Sequence, residues 1–212
     1  MTTPLPCHFD KGKPFYPLVA NYLCQLVGAT ELAVRGVAGP RNLDELVEST
    51  IAQERVRGIS ASDPGMLREK FRAFGTTWQL RSEMLNHDIG LSVDTISREL
   101  AENFAYLMPL LSGVAAGMML VMAHEISKCK PWYTEGHPLW EFLFHCRNAV
   151  AHGLRFCFRN KQPRHTAQWG PLVISGALQG SPLFKKDGGM LSPGDPVRLL
   201  WDIEQAFPTM TI

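Results

Sequence analysis

No CxxC pair and no even cysteine set occurs among the five cysteines, Cys7, Cys24, Cys129, Cys146 and Cys157, and the sequence contains no Asn-x-Ser/Thr acceptor. A disulfide framework is therefore excluded as the basis of the fold, and a reduced cytoplasm is the expected setting. The opening MTTPLPCHFDKGKPF lacks the charged start and continuous apolar run of a signal peptide and reads as an irregular arm. GxxxxGK[ST], GxGxxG, GxSxG and EF-hand spacings are all missing, which removes the common nucleotide, dinucleotide, serine-hydrolase and calcium chemistries. His124-Glu125 begins like a zinc-protease helix, but the second ligand position holds Lys128, which cannot bind zinc while protonated. No metal and no cofactor are expected. Excess charge of either sign is absent too: 21 Lys and Arg against 20 Asp and Glu give +1, so any argument for nucleic-acid binding has to be local.

What remains is the composition of a folded chain. The 212 residues, 45% hydrophobic and 19% charged, suffice to bury about 70% of the unfolded surface. Helical spacing runs from Asn42 to about Arg57 and, after the Asp63-Pro64 start signal, from Met66 to Leu85, with Gly75 as a possible interruption. The longest helical pattern extends from Asp94 to about Lys128, and Pro109 is expected to kink or split it. A further helix is expected from Pro138 to His152, ended by Gly153. Trp169 to Ser175 and Pro182 to Lys185 read as short strands joined through residues 176–180, and Pro193-Gly194-Asp195-Pro196 starts a last helix running to the Phe207 region. The expected fold is mainly α: a helical bundle with a small β-hairpin insertion before the C-terminal helix. Residues 1–41 form an arm and first helical segment; residues 42–212 form the main helical domain, with the hairpin at about 168–186.

Ala105 to Ala123 carries no formal charge and contains Gly113-x-x-x-Gly117, so it meets a first test for membrane spanning. Pro109, Ser112 and the many Ala and Gly residues weaken its apolarity, and a buried central helix, with no membrane, is the expectation. Met118, Met119 and Met122 read as packing of that helix.

His145-Cys146-Arg147-Asn148-Ala149-Val150-Ala151-His152-Gly153 carries the densest chemistry. At 100° per residue Leu139, Leu143, Cys146 and Val150 share one face, while Trp140, Phe144 and Ala151 point roughly the other way. A single bundle would leave that second face uncovered, so a partner subunit is expected over it. Asn148 and His152 lie one turn apart and can hydrogen-bond. The stretch Arg147-Asn148-(three residues)-His152 resembles the R-x(4–6)-H motif of the HEPN superfamily, including the polar residue after the Arg. The match is one motif of six residues, and the helical organisation extends the likeness from Asp44 to Phe207. The chain is similar to small bacterial HEPN proteins of toxin–antitoxin and defence loci. That resemblance implies a helical bundle, a homodimer in which two motifs face each other, and metal-independent ribonuclease activity. An antitoxin or defence-system protein is the further partner it suggests.

The residue types suit that chemistry on their own terms. Attack of an RNA 2′-hydroxyl on its neighbouring phosphate needs proton transfer and stabilisation of phosphoryl charge. Arg147 can supply a permanently charged planar fork, so Arg147→Lys would keep charge but lose bidentate geometry. His152, at a helix C-terminus that favours imidazolium, can protonate the 5′-oxygen or act as the base in the first step. Asn148 would orient His152 or hold phosphate. From Phe142 to Lys186 there are seven basic residues, Arg147, Arg155, Arg159, Lys161, Arg164, Lys185 and Lys186, and no Asp or Glu. Arg155, Arg159, Lys161 and Arg164 are the candidate RNA-binding residues, and Phe156, Phe158 and Trp169 among them could stack on bases or fill the hairpin core.

Other readings stand beside these. Arg147 could pair with Glu141 or with an acid of a neighbouring helix, and Glu141, Glu125 and Glu102 are unranked candidates for a polar contribution to the cleft. His145 and His165 read as surface or network histidines. A non-catalytic HEPN module binding RNA, a nucleotide or a protein partner is the second function; a purely structural or membrane-embedded helical protein is the third.

Overall fold

The computed structural model describes residues 9–38, 43–56, 58, 60, 62–75, 77–82, 87–185 and 188–211. In chain order the elements are helices α1 (Tyr16–Ala38), α2 (Leu43–Val56) and α3 (Pro64–Gly75), strands β1 (Thr77–Ser82) and β2 (His87–Ser92), helices α4 (Val93–Glu102), α5 (Phe104–Ser127) and α6 (Pro138–Ala151), strands β3 (Ala167–Trp169) and β4 (Leu172–Ile174), and helix α7 (Asp195–Ala206). The chain is mainly α, with a small antiparallel hairpin before the C-terminal helix. Lys186 lies outside the described residues.

The chain forms two compact units, residues 27–107 and residues 1–26 with 108–212. In the first, Asp63 Oδ1 accepts the Met66 N–H and starts α3, as the Asp-Pro signal requires. The helix expected from Met66 to Leu85 stops at Gly75, and residues 77–82 form a strand paired antiparallel with 87–92, in the register Trp78↔Leu91 and Leu80↔Ile89. Thr77, Trp78 and Leu80 are types that favour extended backbone, and helix-like apolar spacing hid that preference. The second unexpected break is at Asn103. It accepts the Leu107 N–H through its carbonyl at 2.8 Å, closing α4 and opening α5. Pro109 therefore sits inside α5 near its start and does not split it. An apolar cleft of about 340 Å³ is lined by Thr30, Ala33, Val34, Ala101 and Phe104.

The second unit holds the main core, where Phe15 just before α1, Leu120 of α5, Trp140 and Leu143 of α6, and Leu199 and Ile203 of α7 are all but fully buried. The Lys13 ammonium donates to the Pro208 and Met210 carbonyls, and the Phe15 N–H donates to Glu204, which fastens the start of α1 beside the end of α7. Gly113 and Gly117 are used within this chain. A Cβ built on Gly117 would lie 3.2 Å from both Val150 methyls, and one on Gly113 would lie 3.6 Å from the Phe184 ring. α5 thus turns its small-residue face to α6 and the segment after it.

The hairpin also differs in detail. Its strands turn at Gly170-Pro171, and residues 176–178 form a short 3-10 helix instead of the expected turn. Pro182 bridges to Arg155 and Phe184 to Leu191, so 182–185 is no partner of β4. Gly170 has φ 53°, the backbone a tight two-residue turn asks of glycine.

One described helix, Phe104–Ser127, is long and apolar enough to cross a membrane by length and composition, and 39% of its most apolar window is buried within the protein.

Candidate functional site

α6 is built as its sequence signals dictate. Pro138 occupies its first turn, His137 Nδ1 accepts the Leu139 N–H, and Gly153 follows the helix with φ 70°. Cys146 and Ala149 face inward and are fully buried. Burial pushes the Cys146 thiol far above its ordinary range, so it is an inert core side chain.

Of the face expected to await a partner, Trp140 is covered by this chain itself, Phe144 is half-buried and Ala151 is exposed. Trp140 is fully buried, with Trp132 stacked at 5.7 Å and Tyr133 and Phe207 at 5.1 and 5.2 Å. Phe144 carries the Arg164 guanidinium 3.8 Å above its ring. An uncovered apolar stripe runs along α5, where Leu111, Val114, Met118 and Met122 are 41%, 50%, 52% and 44% exposed at three- and four-residue spacing. Met119 packs in the core as expected; Met118 and Met122 do not.

Arg147, Asn148 and His152 all sit on the last two turns of α6, but the structure joins them differently from the expectation. Arg147 Nη1 donates to Asn148 Oδ1 at 3.1 Å, so Asn148 serves the guanidinium and not the imidazole. Arg147 Nη2 donates to Glu125 Oε1 of α5 at 3.0 Å. Glu125 is thus the acid that pairs with Arg147, whereas Glu141 faces Arg164 and Glu102 is exposed on α4. Lys128, one turn on from Glu125, donates to its other oxygen. The Lys128 ammonium and, after it, the Arg147 guanidinium hold the Glu125 carboxyl at about 2, so it is ionised at neutral pH. Arg147 and Glu125 remain about one-third exposed. The Arg147 Nε is buried without a partner, so its contact with Glu125 is through a single donor. His152 caps α6, its backbone N–H donating to the Asn148 and Ala149 carbonyls, and its side chain is exposed. His124 lies beside this group, 6% exposed, with Nδ1 3.6 Å from Glu125 Oε1, and burial lowers its basicity.

The basic segment separates into two kinds of residue. Arg155, Arg159 and Lys161 are exposed, and no carboxylate pairs with them among the described residues. Arg155 Nη1 donates to the Gly180 carbonyl. Arg164 is different: Nε and Nη2 grip the two oxygens of Glu141 at 2.8 and 3.1 Å, and Nη1 reaches Glu135 at 2.8 Å. The acid-free run of sequence is therefore neutralised in part by carboxylates that precede it. Phe156 and Phe158 are 1% and 6% exposed, and Trp169 donates through its indole to Asp202 while packing on the core. The aromatics fill the hairpin core and do not form a platform for bases.

His145 is buried, 5% exposed, with neither ring nitrogen partnered, in place of the expected surface or network position. No group of three or more His, Cys, Asp or Glu that could hold a metal exists among the described residues. Chemically, the surface where α5 meets α6 offers two cations, one carboxylate, an amide and, at the helix end, an imidazole. Such a set can bind an oxyanion and move a proton.

No protein-family model, curated protein or solved structure matches the chain.

Proposed function

We propose that the protein is a metal-independent endoribonuclease of HEPN type, working in the cytoplasm as a homodimer and acting as a toxin or antiphage effector. The observation that carries this reading is the placement of a partly exposed Arg147, braced by Asn148, on the same short helix that ends in an exposed His152. In this reading the 2′-oxygen of RNA attacks phosphorus, its proton passes to a base, the bond from phosphorus to the 5′-oxygen breaks, and that oxygen gains a proton. Arg147 stabilises the charge on the phosphoryl oxygens, and His152 gives or takes a proton. The products are a 2′,3′-cyclic phosphate and a 5′-hydroxyl. The exposed α5 stripe supports a second copy as the cover, because Leu111, Val114, Met118 and Met122 lie on the face that continues into Glu125. Arg155, Arg159 and Lys161 extend the attraction for RNA. Arg164 is assigned a structural role.

Purified protein should cut RNA equally with and without EDTA, leaving cyclic phosphate ends. Arg147→Ala or His152→Ala should each lower the rate by about 10²–10⁴-fold. If no RNA is cut under either condition and both variants retain the toxicity of the parent in cells, the proposal fails. A non-catalytic HEPN module that binds RNA, a nucleotide or a protein such as an antitoxin is the second reading, and the engagement of Arg147 by Glu125 favours it. It requires binding without turnover.

A further inference from the structure

We infer that Glu125 holds, as an internal carboxylate, the place of a substrate phosphate between Arg147 and Lys128, and that an incoming phosphodiester displaces it. The inference rests on the reading of Arg147 as a phosphate ligand and adds to it a second cation, Lys128, and an occupant that must leave. A carboxylate and a phosphate offer the same kind of oxygen pair to a cation, so either satisfies the same donors. Glu125 divides its two oxygens between Arg147 Nη2 and the Lys128 ammonium, the arrangement a bridging phosphate would adopt. The carboxylate is held by one guanidinium donor and by the exposed Lys128 ammonium, about a third of its surface meets solvent, and exposed pairs of this kind contribute little. Two features make exchange cheap for the rest of the site. Asn148 Oδ1 keeps Arg147 Nη1 in place whether or not Glu125 is there. Each terminal nitrogen of the Arg147 guanidinium makes one hydrogen bond and carries a second N–H, so it has donor capacity beyond its present partners, while the buried Nε stays out of reach of an incoming phosphate. The displaced Glu125 can turn toward His124, whose Nδ1 is already 3.6 Å away.

The charge arithmetic gives the role its consequence. With Glu125 in place the trio Arg147, Lys128 and Glu125 carries one net positive charge; without the carboxylate it carries two. Glu125 therefore weakens phosphate binding at rest and sets how strongly an RNA must be attracted by its remaining contacts before Arg147 engages it.

The test uses the full-length protein and a 2′-O-methyl RNA strand, which can bind but cannot react through its 2′-oxygen. Binding is read by fluorescence anisotropy at low ionic strength. Glu125→Gln should bind about ten-fold more tightly than the parent, since one like charge near the phosphate is removed. Glu99→Gln, the same charge change at an exposed site on α4, should leave binding unchanged. Adding Arg147→Ala or Lys128→Ala to Glu125→Gln should abolish the gain. The inference is overturned if Glu125→Gln, with unaltered circular dichroism and melting temperature, binds no tighter than the parent. It is equally overturned if the gain survives Arg147→Ala or is matched by Glu99→Gln. Tighter binding by Glu125→Gln with no cleavage of an all-ribose strand by any variant would support this inference while removing the nuclease reading.

Discussion

α6 carries one end of two arginine–carboxylate pairs whose carboxylates differ in burial and in the number of donors that hold them. Near its start, Glu141 is completely buried, gripped by two Arg164 nitrogens and the Gly136 N–H, while the Arg164 guanidinium lies on the Phe144 ring. Near its end, Arg147 meets Glu125 through one nitrogen at a surface open to solvent. In the first pair the carboxylate is enclosed and held by three donors, although the Arg164 side chain is about as exposed as that of Arg147; it ties the loop before α6 to the segment after it. The second is open and incompletely satisfied, and its acid can leave at little cost. Arg147, expected in a catalytic role, thus stays a candidate ligand site, whereas Arg164, expected to bind RNA, forms a structural clasp.

The largest expected consequence of a single substitution follows from burial. Glu141→Ala removes a buried carboxylate that accepts from Arg164 and from the Gly136 N–H, while the part-exposed Arg164 keeps Glu135 and solvent, and it should cost about 2–3 kcal/mol in urea unfolding. Glu125→Ala should leave the unfolding midpoint unchanged. Equal effects of the two variants would erase the distinction between clasp and ligand site.

Acid should act on the enclosed side of α6 next. Burial holds the His145 imidazole at about 4, below its ordinary 6.5, with Glu141 opposing and Arg164 and His165 reinforcing that shift. Between those values the unfolded chain binds a proton that the folded chain refuses, so stability is constant above pH 6.5 and falls as pH drops toward 4. The loss attributable to His145 is about 3 kcal/mol across that window. His124, also lowered, adds in the same direction. His145→Phe should flatten the slope of unfolding free energy against pH, and an unchanged slope would show that the imidazole is not held neutral by its burial. Glu141 does not confuse the reading, because Arg164 and the Gly136 N–H overcome the upward pull of burial and keep its carboxyl below the ordinary range.

A smaller effect separates the two arginines themselves. Arg164→Lys loses the two-nitrogen grip and the stacking on Phe144 and should cost about 1–2 kcal/mol in stability. Arg147→Lys should leave stability unaltered and reduce RNA cleavage, since the charge stays and the fork is lost. Stability changes of the same size at both positions would place Arg147 in the same class as Arg164.

The sequence revealed most where a local residue dictates a local geometry. Pro138 and Gly153 bracket α6, Asp63-Pro64 starts α3, and Asp195-Pro196 opens α7, each because a cap or a fixed φ acts over a few residues. Gly75 was visible as an interruption, yet the hairpin beyond it was hidden under helix-like apolar spacing. Pro109 drew the expected break away from Asn103, whose carbonyl actually accepts at the junction. The glycine-rich 176–180 stretch likewise drew the hairpin turn away from Gly170-Pro171.

The site was legible as residue types and illegible as partners. Arg147, Asn148 and His152 could be named from one helix, but the acid paired with Arg147 could be Glu141 or one on another helix, and nothing ranked Glu141, Glu125 and Glu102 as contributors to the cleft. Only the approach of α5 selects Glu125. The partner expected over Trp140 was an inference from one helix considered alone; Trp132 and Tyr133 in the connector just before the helix, and Phe207 far along the chain, cover it. Exposure on α5 could not be read because its apolar residues surround the whole helix, and periodicity says nothing when every face is greasy.

The missing side chain at position 117 reaches further than its own neighbourhood. Because only a hydrogen separates that backbone from the methyls of Val150, two helical rods touch at a point of nearly zero clearance, about two turns of α5 before Glu125. An added carbon there would lie 3.2 Å from both methyls, so Val150 or the helix that carries it would have to give way by a few tenths of an ångström. The gap across which ammonium, carboxylate and guanidinium face one another is therefore gauged by an atom that carries no charge and touches none of them.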